Sequence, residues 1–122
     1  MMLRPSWRQA VITFHVSVIK AWPWWGDEDR RFLALALGGK VGEIQNVVKK
    51  AWRGDGDPLY EGKIAEEMAD ARIYLELLAY AHGMDLDAAC TEVVRTKLLA
   101  RWPDAATEVG MILDNRAEVK TE

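Results

Sequence analysis

Three carboxylates are the residues whose types and spacing in this sequence are suited to chemistry. Glu67 and Asp70 lie three residues apart, and Glu43 lies far enough upstream for a turn to intervene. Side chains three residues apart share one face of a helix. Acids held close together repel one another and favour a divalent cation, which binds phosphate oxygens and acidifies a bound water. The pattern is therefore typical of a Mg²⁺ or Mn²⁺ site.

Acids at this spacing are also common on solvated helix faces, so the pattern alone leaves both interpretations open. Two observations favour the site. The surrounding positions of both segments are apolar, and neither Glu66 nor Glu67 has the lysine four residues later that a solvated salt-bridge face usually carries. The position four after Glu66 is Asp70, and the position four after Glu67 is Ala71.

Composition excludes most other chemistry. One cysteine cannot form an internal disulfide or a cysteine-rich zinc site, and two histidines cannot form a three-histidine site. A formal net charge of -3 argues against a nucleic-acid polymer as partner. The longest apolar stretch, residues 32–39, is too short to span a membrane, and the N-terminal residues do not resemble a signal peptide. We therefore expect a cytoplasmic protein without a membrane partner.

The elements that must position these acids are helices, since no segment shows the alternation typical of a strand. We predict an all-α bundle of four to five helices in a single domain, 1–122, with a core at 26–103 and a C-terminal helix and polar tail at 104–122. The predicted helices run from about Ser6 to Trp22, Asp27 to Trp52, Asp57-Pro58 to His82, Asp85 to Arg101, and Asp104 to about Asn115.

Two apolar stripes at helical spacing define the expected core. A second copy of the chain is expected to complete this core, because the two long helices of so short a chain leave apolar surface to cover. One stripe lies on the second helix and the other on the third, at Leu33, Leu37, Val41, Ile44 and Val48, and at Ile64, Met68, Ala71, Leu75 and Leu78.

The sequence LALALGGKVGEIQNVVKK (residues 33–50), followed by EEMADARIYLELLA (66–79), resembles the MazG-like all-α nucleoside triphosphate pyrophosphohydrolases. The resemblance covers about residues 30–103. It implies two antiparallel helices with the pattern ExxE, a spacer and ExxD, in a homodimer or dimer-based homotetramer. It also implies cleavage of a (d)NTP to (d)NMP and pyrophosphate with Mg²⁺, for which Mn²⁺ can substitute. The second acid of ExxE falls on Glu43, and the acids of ExxD fall on Glu67 and Asp70, as metal ligands.

Lys40 departs from this pattern, because it stands where the first acid of ExxE is expected. A charged lysine repels a metal ion rather than binding it. Three interpretations follow. The site holds fewer ions and the Lys40 ammonium contacts phosphate; another acid, such as Asp87 or one from a partner chain, substitutes; or the protein is a non-catalytic member that binds nucleotide or a protein partner.

The remaining assignments concern the water and the substrate. Glu66 or one of the three metal-binding acids takes the proton of the attacking water. Lys50 and Lys63 hold the triphosphate, although Lys50 also fits a cationic last helical turn. Either Trp24 or Trp25 stacks on the base, with a purine preferred, and Tyr74 packs against the sugar. Lys97 and Arg101 resemble the basic stretch that closes the family motif. Phosphoribosyl-ATP is an alternative substrate.

Overall fold

Helices account for the regular structure in this computed structural model, which describes residues 6–19 and 29–121. The all-α prediction is confirmed for these residues, none of which lies in a strand, and no helix among them could cross a membrane. The elements are α1 (Trp7–Phe14), a π-helical segment (His15–Ile19), α2 (Asp29–Arg53), α3 (Tyr60–Ala81), α4 (Leu86–Val93), a second π-helical segment (Val94–Leu98), α5 (Leu99–Arg101), a 3₁₀ turn (Pro103–Ala105) and α6 (Ala106–Thr121).

Several helix ends lie where the capping residues predict them. The Ser6 hydroxyl accepts a hydrogen bond from the Gln9 backbone amide at 3.3 Å, and α1 begins directly after Ser6. The Asp85 carboxylate accepts one from the Ala88 amide at 3.2 Å at the start of α4. Gly83 adopts a φ of +67°, the left-handed conformation that ends α3.

Two predicted helix starts are wrong. Pro58 does not open α3, which begins at Tyr60, because the Asp57 carboxylate accepts a hydrogen bond from the Leu59 amide at 2.7 Å and holds a turn before the helix. Asp104 lies inside a 3₁₀ turn instead of capping the last helix, and that helix, α6, extends to Thr121 rather than ending near residue 115.

The described chain divides into two compact units, Pro5–Gly83 and Met84–Glu122. In the first unit α2 and α3 pack along their lengths. Arg30 donates to the Ala81 carbonyl, and Lys40 contacts Asp70. Residues later in α2 therefore contact residues earlier in α3, so the two helices run antiparallel.

The buried core of the first unit is small. Its buried apolar residues, among those that the structure describes, are Leu33, Leu77 and Ala79, and Leu33 is only 1% exposed. The predicted stripes are only half buried, because Val41 is 42% exposed and Met68 is 56% exposed. One edge of each stripe therefore lies outside the α2–α3 contact in a single copy of the chain.

An ion pair between Arg8 and Glu76 joins α1 to α3. Arg8 Nη2 donates to Glu76 Oε1 at 3.1 Å, and Nε lies 3.0 Å from Oε2, an ion-pair contact that is not aligned as a hydrogen bond. The Glu76 side chain is only 8% exposed. A carboxylate this buried depends on its counterion, because water does not solvate it.

We expect Arg8→Met to lower the free energy of unfolding by about 1–3 kcal/mol, since it leaves the Glu76 carboxylate buried without this partner. Urea denaturation measures the change. The double variant Arg8→Met/Glu76→Leu should recover most of the loss, because replacing both partners by apolar groups removes the unpaired charge. A double variant less stable than the single variant would contradict this assignment.

Candidate functional site

Four charged side chains meet where the middle of α2 crosses the middle of α3. We call Lys40, Glu43, Glu67 and Asp70 the acid–lysine cluster. Lys40 Nζ lies 3.3 Å from Glu43 Oε2 and 3.5 Å from Asp70 Oδ2. Each helix contributes two residues three positions apart, so both of its side chains point toward the other helix. The structure thus brings together the three predicted acids and the lysine that departs from the family pattern.

Glu43 and Glu67 form a carboxyl pair across the two helices. Each of the two shifts the pKa of the other, and a hydrogen bond between two carboxyl groups requires a proton on one of them. The bond to Glu43 and partial burial raise the pKa of Glu67, and the neighbouring carboxylates add to this shift. The pKa of Glu43 is lowered, first by its bond to Glu67 and then by its bond to Lys40.

One carboxylate oxygen of Glu67 lacks a described hydrogen-bond partner. Its Oε2 atom is buried without a hydrogen-bond donor among the residues that the structure describes. Buried acceptors are normally paired, so an orphaned oxygen points to a proton, a water or an ion. A proton, a water or an ion at this atom would each complete the Glu43–Glu67 pair.

The described residues contain no group of three or more His, Cys, Asp or Glu arranged to hold a metal ion. Lys40 contacts both Glu43, at 3.3 Å, and Asp70, at 3.5 Å. The assignment of Glu43, Glu67 and Asp70 as metal ligands therefore stays a prediction.

A polar cavity of about 370 Å³ opens beside the carboxyl pair. Two predicted phosphate-binding residues, Lys50 and Lys63, line it together with Glu43 and Glu67. The loop after α2 lines the cavity, and its close approach to α2 requires glycine at position 56, where a Cβ would lie 2.8 Å from the Ala51 Cα. The cavity thus joins two acids to two lysines.

Sequence reasoning missed the loop acids Asp55 and Asp57, which also line the polar cavity. Asp57 Oδ2 lies 3.1 Å from Lys63 Nζ, and Asp55 forms a 3.0 Å ion pair with Arg53. The signal for Asp57 was its position just before a proline, which predicted only a helix cap. Its contact with Lys63 shows that it also fixes a cavity lysine.

An apolar cavity of about 570 Å³ lies between α1, α2 and α3. Phe14 and Phe32 line it, and His15, which is only 3% exposed, forms part of its wall. Asp70 and Tyr74 also line this cavity, so it adjoins the acid–lysine cluster. Sequence reasoning missed both phenylalanines, because the packing of α1 decides which side chains face the cavity.

The other predicted site residues are Glu66, Lys97, Arg101, Trp24 and Trp25. Glu66 is exposed on α3 beside Glu67. Lys97 and Arg101 belong to the unit Met84–Glu122, where the Arg101 guanidinium stacks over the Trp102 ring. Trp24 and Trp25 lie outside the described residues.

We expect Glu67→Gln to raise the melting temperature in metal-free buffer at about pH 7. The raised pKa of Glu67 means that its ionised form destabilises the fold. This cost is present above the folded-state pKa and disappears as pH falls below the ordinary value of 4.5. The gain should therefore vanish at about pH 4. Thermal unfolding in EDTA measures it, and Glu61→Gln, an exposed glutamate on the same helix, is the control. A gain equal at both pH values would contradict the expectation.

Comparison with known proteins gives no match. No family model matches the chain, and no curated protein and no solved structure matches it. The function is therefore inferred from the acid–lysine cluster and its two cavities.

Proposed function

We propose that this chain is a cytoplasmic, Mg²⁺-dependent hydrolase that cleaves a (d)NTP between its α and β phosphates. The observation that carries the proposal is the Glu43–Glu67 carboxyl pair, in which Oε2 of Glu67 is buried without a described hydrogen-bond donor. The pair opens on a polar cavity that also holds Lys50 and Lys63. Acids for a cation and lysines for phosphate therefore share one cavity.

Glu43, Glu67 and Asp70 are the residues that would hold the divalent ion. When bound, such an ion neutralises phosphate charge and lowers the pKa of a coordinated water. Mn²⁺ is expected to substitute, because it accepts the same oxygen ligands.

The chain's own side chains bind the phosphates and move the proton. Lys50 and Lys63 bind phosphate oxygens, and Lys63 exchanges its contact with Asp57 for the substrate. The water oxygen attacks the α phosphorus, and the bond from that phosphorus to the bridging oxygen of the β phosphate breaks. Glu66 or an acid of the cluster accepts the proton of the water. The products are the monophosphate and pyrophosphate.

The apolar cavity is the proposed binding site of the base and sugar. Its volume, about 570 Å³, lies within the range of small-molecule sites. Tyr74 lines it beside Asp70, which places the predicted sugar contact next to the cluster. A purine preference and base stacking by Trp24 or Trp25 are part of the proposal.

The exposed edges of the apolar stripes support a homodimer or a dimer-based homotetramer. Val41, Val48 and Met68 are 42%, 44% and 56% exposed in one copy of the chain. A second copy that covers them would remove apolar surface from water. Light scattering coupled to gel filtration measures the mass of the assembly.

The test is pyrophosphate release from each of the common NTPs and dNTPs and from phosphoribosyl-ATP, with Mg²⁺ or Mn²⁺. We expect release from at least one triphosphate and none in EDTA. The Glu67→Gln variant provides the background rate. Release that never exceeds this background for any substrate would contradict the proposal.

The second candidate is a non-catalytic helical dimer that binds nucleotide or a protein partner. Lys40 favours it, because its ammonium lies 3.3 Å from one acid of the cluster and 3.5 Å from another. Lys40→Glu discriminates the two candidates. Activity that appears only in this variant supports the second candidate, whereas activity of the unaltered chain rejects it.

A further inference from the structure

We propose that Asp57 holds the Lys63 ammonium at the polar cavity and thereby lowers the affinity of the chain for phosphate groups. Asp57 is then a positioning residue that acts through Lys63, and it sets how tightly the substrate binds. The inference rests on the proposed function for the contact between Lys63 and phosphate. It adds a residue that limits this contact.

The Asp57 carboxylate is fixed in place by the turn before α3. Its Oδ1 atom accepts a hydrogen bond from the Leu59 amide at 2.7 Å. The preceding residue, Gly56, packs so closely against α2 that a Cβ there would lie 2.8 Å from the Ala51 Cα. The bond from Leu59 and then the bond from Lys63 lower the pKa of Asp57, so the carboxylate is ionised at neutral pH. The turn therefore holds a charged carboxylate that does not follow Lys63 toward a ligand.

Lys63 reaches from the first turn of α3 to the second oxygen of this carboxylate. Its Nζ atom donates to Asp57 Oδ2 at 3.1 Å, and the Lys63 side chain is 53% exposed. Both residues line the polar cavity, as does Lys50. The Lys63 ammonium, which a phosphate in the cavity would contact, is thus already bound by a carboxylate.

A phosphate that binds Lys63 has to compete with this carboxylate. An ammonium has three donors, so Lys63 has a donor for each of the two anions. The phosphate would then lie a few ångströms from the Asp57 carboxylate and be repelled by it. If Lys63 instead leaves Asp57, the ion pair is lost. In either case the carboxylate weakens phosphate binding, and we expect a modest effect because the pair is partly exposed.

Asp55 provides a matched comparison in the same loop. It also lines the polar cavity, but its carboxylate forms a 3.0 Å ion pair with Arg53. Arg53 is not among the described residues that line the cavity. Removing the charge of either aspartate makes the cavity less negative, whereas only removal at Asp57 releases a cavity lysine. The two variants therefore separate the release of Lys63 from a general change of charge.

The experiment measures the dissociation constant of inorganic pyrophosphate, with Mg²⁺ present, by isothermal titration of the whole chain. Asp57→Asn should bind pyrophosphate about fivefold more tightly than the unaltered chain. The asparagine side-chain oxygen still accepts from the Leu59 amide, so the turn is retained. Asp55→Asn should change the dissociation constant by less than about twofold. Adding Asp57→Asn to Lys63→Gln should also change it by less than about twofold, because no ammonium remains to be released.

Weaker binding or an unchanged dissociation constant in Asp57→Asn would overturn the inference. An equal gain in Asp55→Asn would overturn it too, as would a gain of about fivefold from Asp57→Asn when Lys63→Gln is present. Circular dichroism checks that each variant folds. If Asp57→Asn does not fold, Asp57→Ser replaces it with the same expectations, since a serine hydroxyl also accepts from a backbone amide.

Pyrophosphate release from triphosphates is measured separately, so that the two proposals fail in different ways. Tighter pyrophosphate binding by Asp57→Asn without turnover of any triphosphate supports the role of Asp57 and contradicts the proposed function. Turnover with no effect of Asp57→Asn on pyrophosphate binding supports the proposed function and overturns the role of Asp57. Failure of every variant to bind pyrophosphate also overturns the role of Asp57.

Discussion

Glu67→Gln is expected to slow pyrophosphate release by at least about 100-fold. Glutamine keeps the size of the side chain but has no negative charge for a divalent ion. The change falls on the buried Oε2 atom that lacks a described donor, and it removes half of the Glu43–Glu67 pair. Initial rates with the preferred triphosphate at saturating Mg²⁺ measure the loss.

The matched control is Glu61→Gln, which makes the same chemical change at an exposed position of α3. Its rate should stay within about twofold of the unaltered chain, as a substitution outside the site should have little effect. Raising the Mn²⁺ concentration should partly restore the activity of Glu67→Gln, because a lost ligand raises the concentration at which the ion binds. Equal rates for the two variants would remove Glu67 from the site.

The stability of Glu67→Gln separates a chemical loss from unfolding. The ionised Glu67 carboxylate destabilises the fold, because Glu43 lies against it and its pKa is raised. The variant should therefore be inactive and more stable without metal at about pH 7. Replacing a functional residue that destabilises the fold commonly lowers activity and raises stability.

Leu33→Ala is expected to lower the free energy of unfolding by about 2–5 kcal/mol. Leu33 is 1% exposed, and it also lines the apolar cavity between α1, α2 and α3. Truncation removes buried methyl groups and enlarges a space that is already present. The loss should be severe for this chain, because few other apolar side chains among the residues that the structure describes in the first unit are buried.

Leu35→Ala is the matched control on the same helix. Leu35 is 78% exposed, so the same truncation should change the free energy of unfolding by no more than about 0.5 kcal/mol. Equilibrium urea denaturation at one protein concentration compares the two, since self-association would make stability depend on concentration. Equal losses would show that Leu35 is covered by a second copy or that Leu33 is not in the core.

The sequence by itself determined the elements of this protein and the faces of its acids. Ser6, Gly83 and Asp85 mark helix ends because capping involves residues within one turn of each other. Glu67 and Asp70 share a face because the helical period places them there. These are local effects, and a single sequence contains all the information that they need.

Only the tertiary structure decided which charges pair. The contact of Lys40 with Asp70 and that of Glu43 with Glu67 depend on the antiparallel register of α2 and α3. The start of α3 at Tyr60 depends on the use of the Asp57 carboxylate by Leu59 and Lys63. The apolar cavity depends on the docking of α1, which the Arg8–Glu76 ion pair joins to α3. Sequence patterns do not predict these contacts, because they join residues that are distant in the chain. The register between two helices depends on the packing of all their facing side chains.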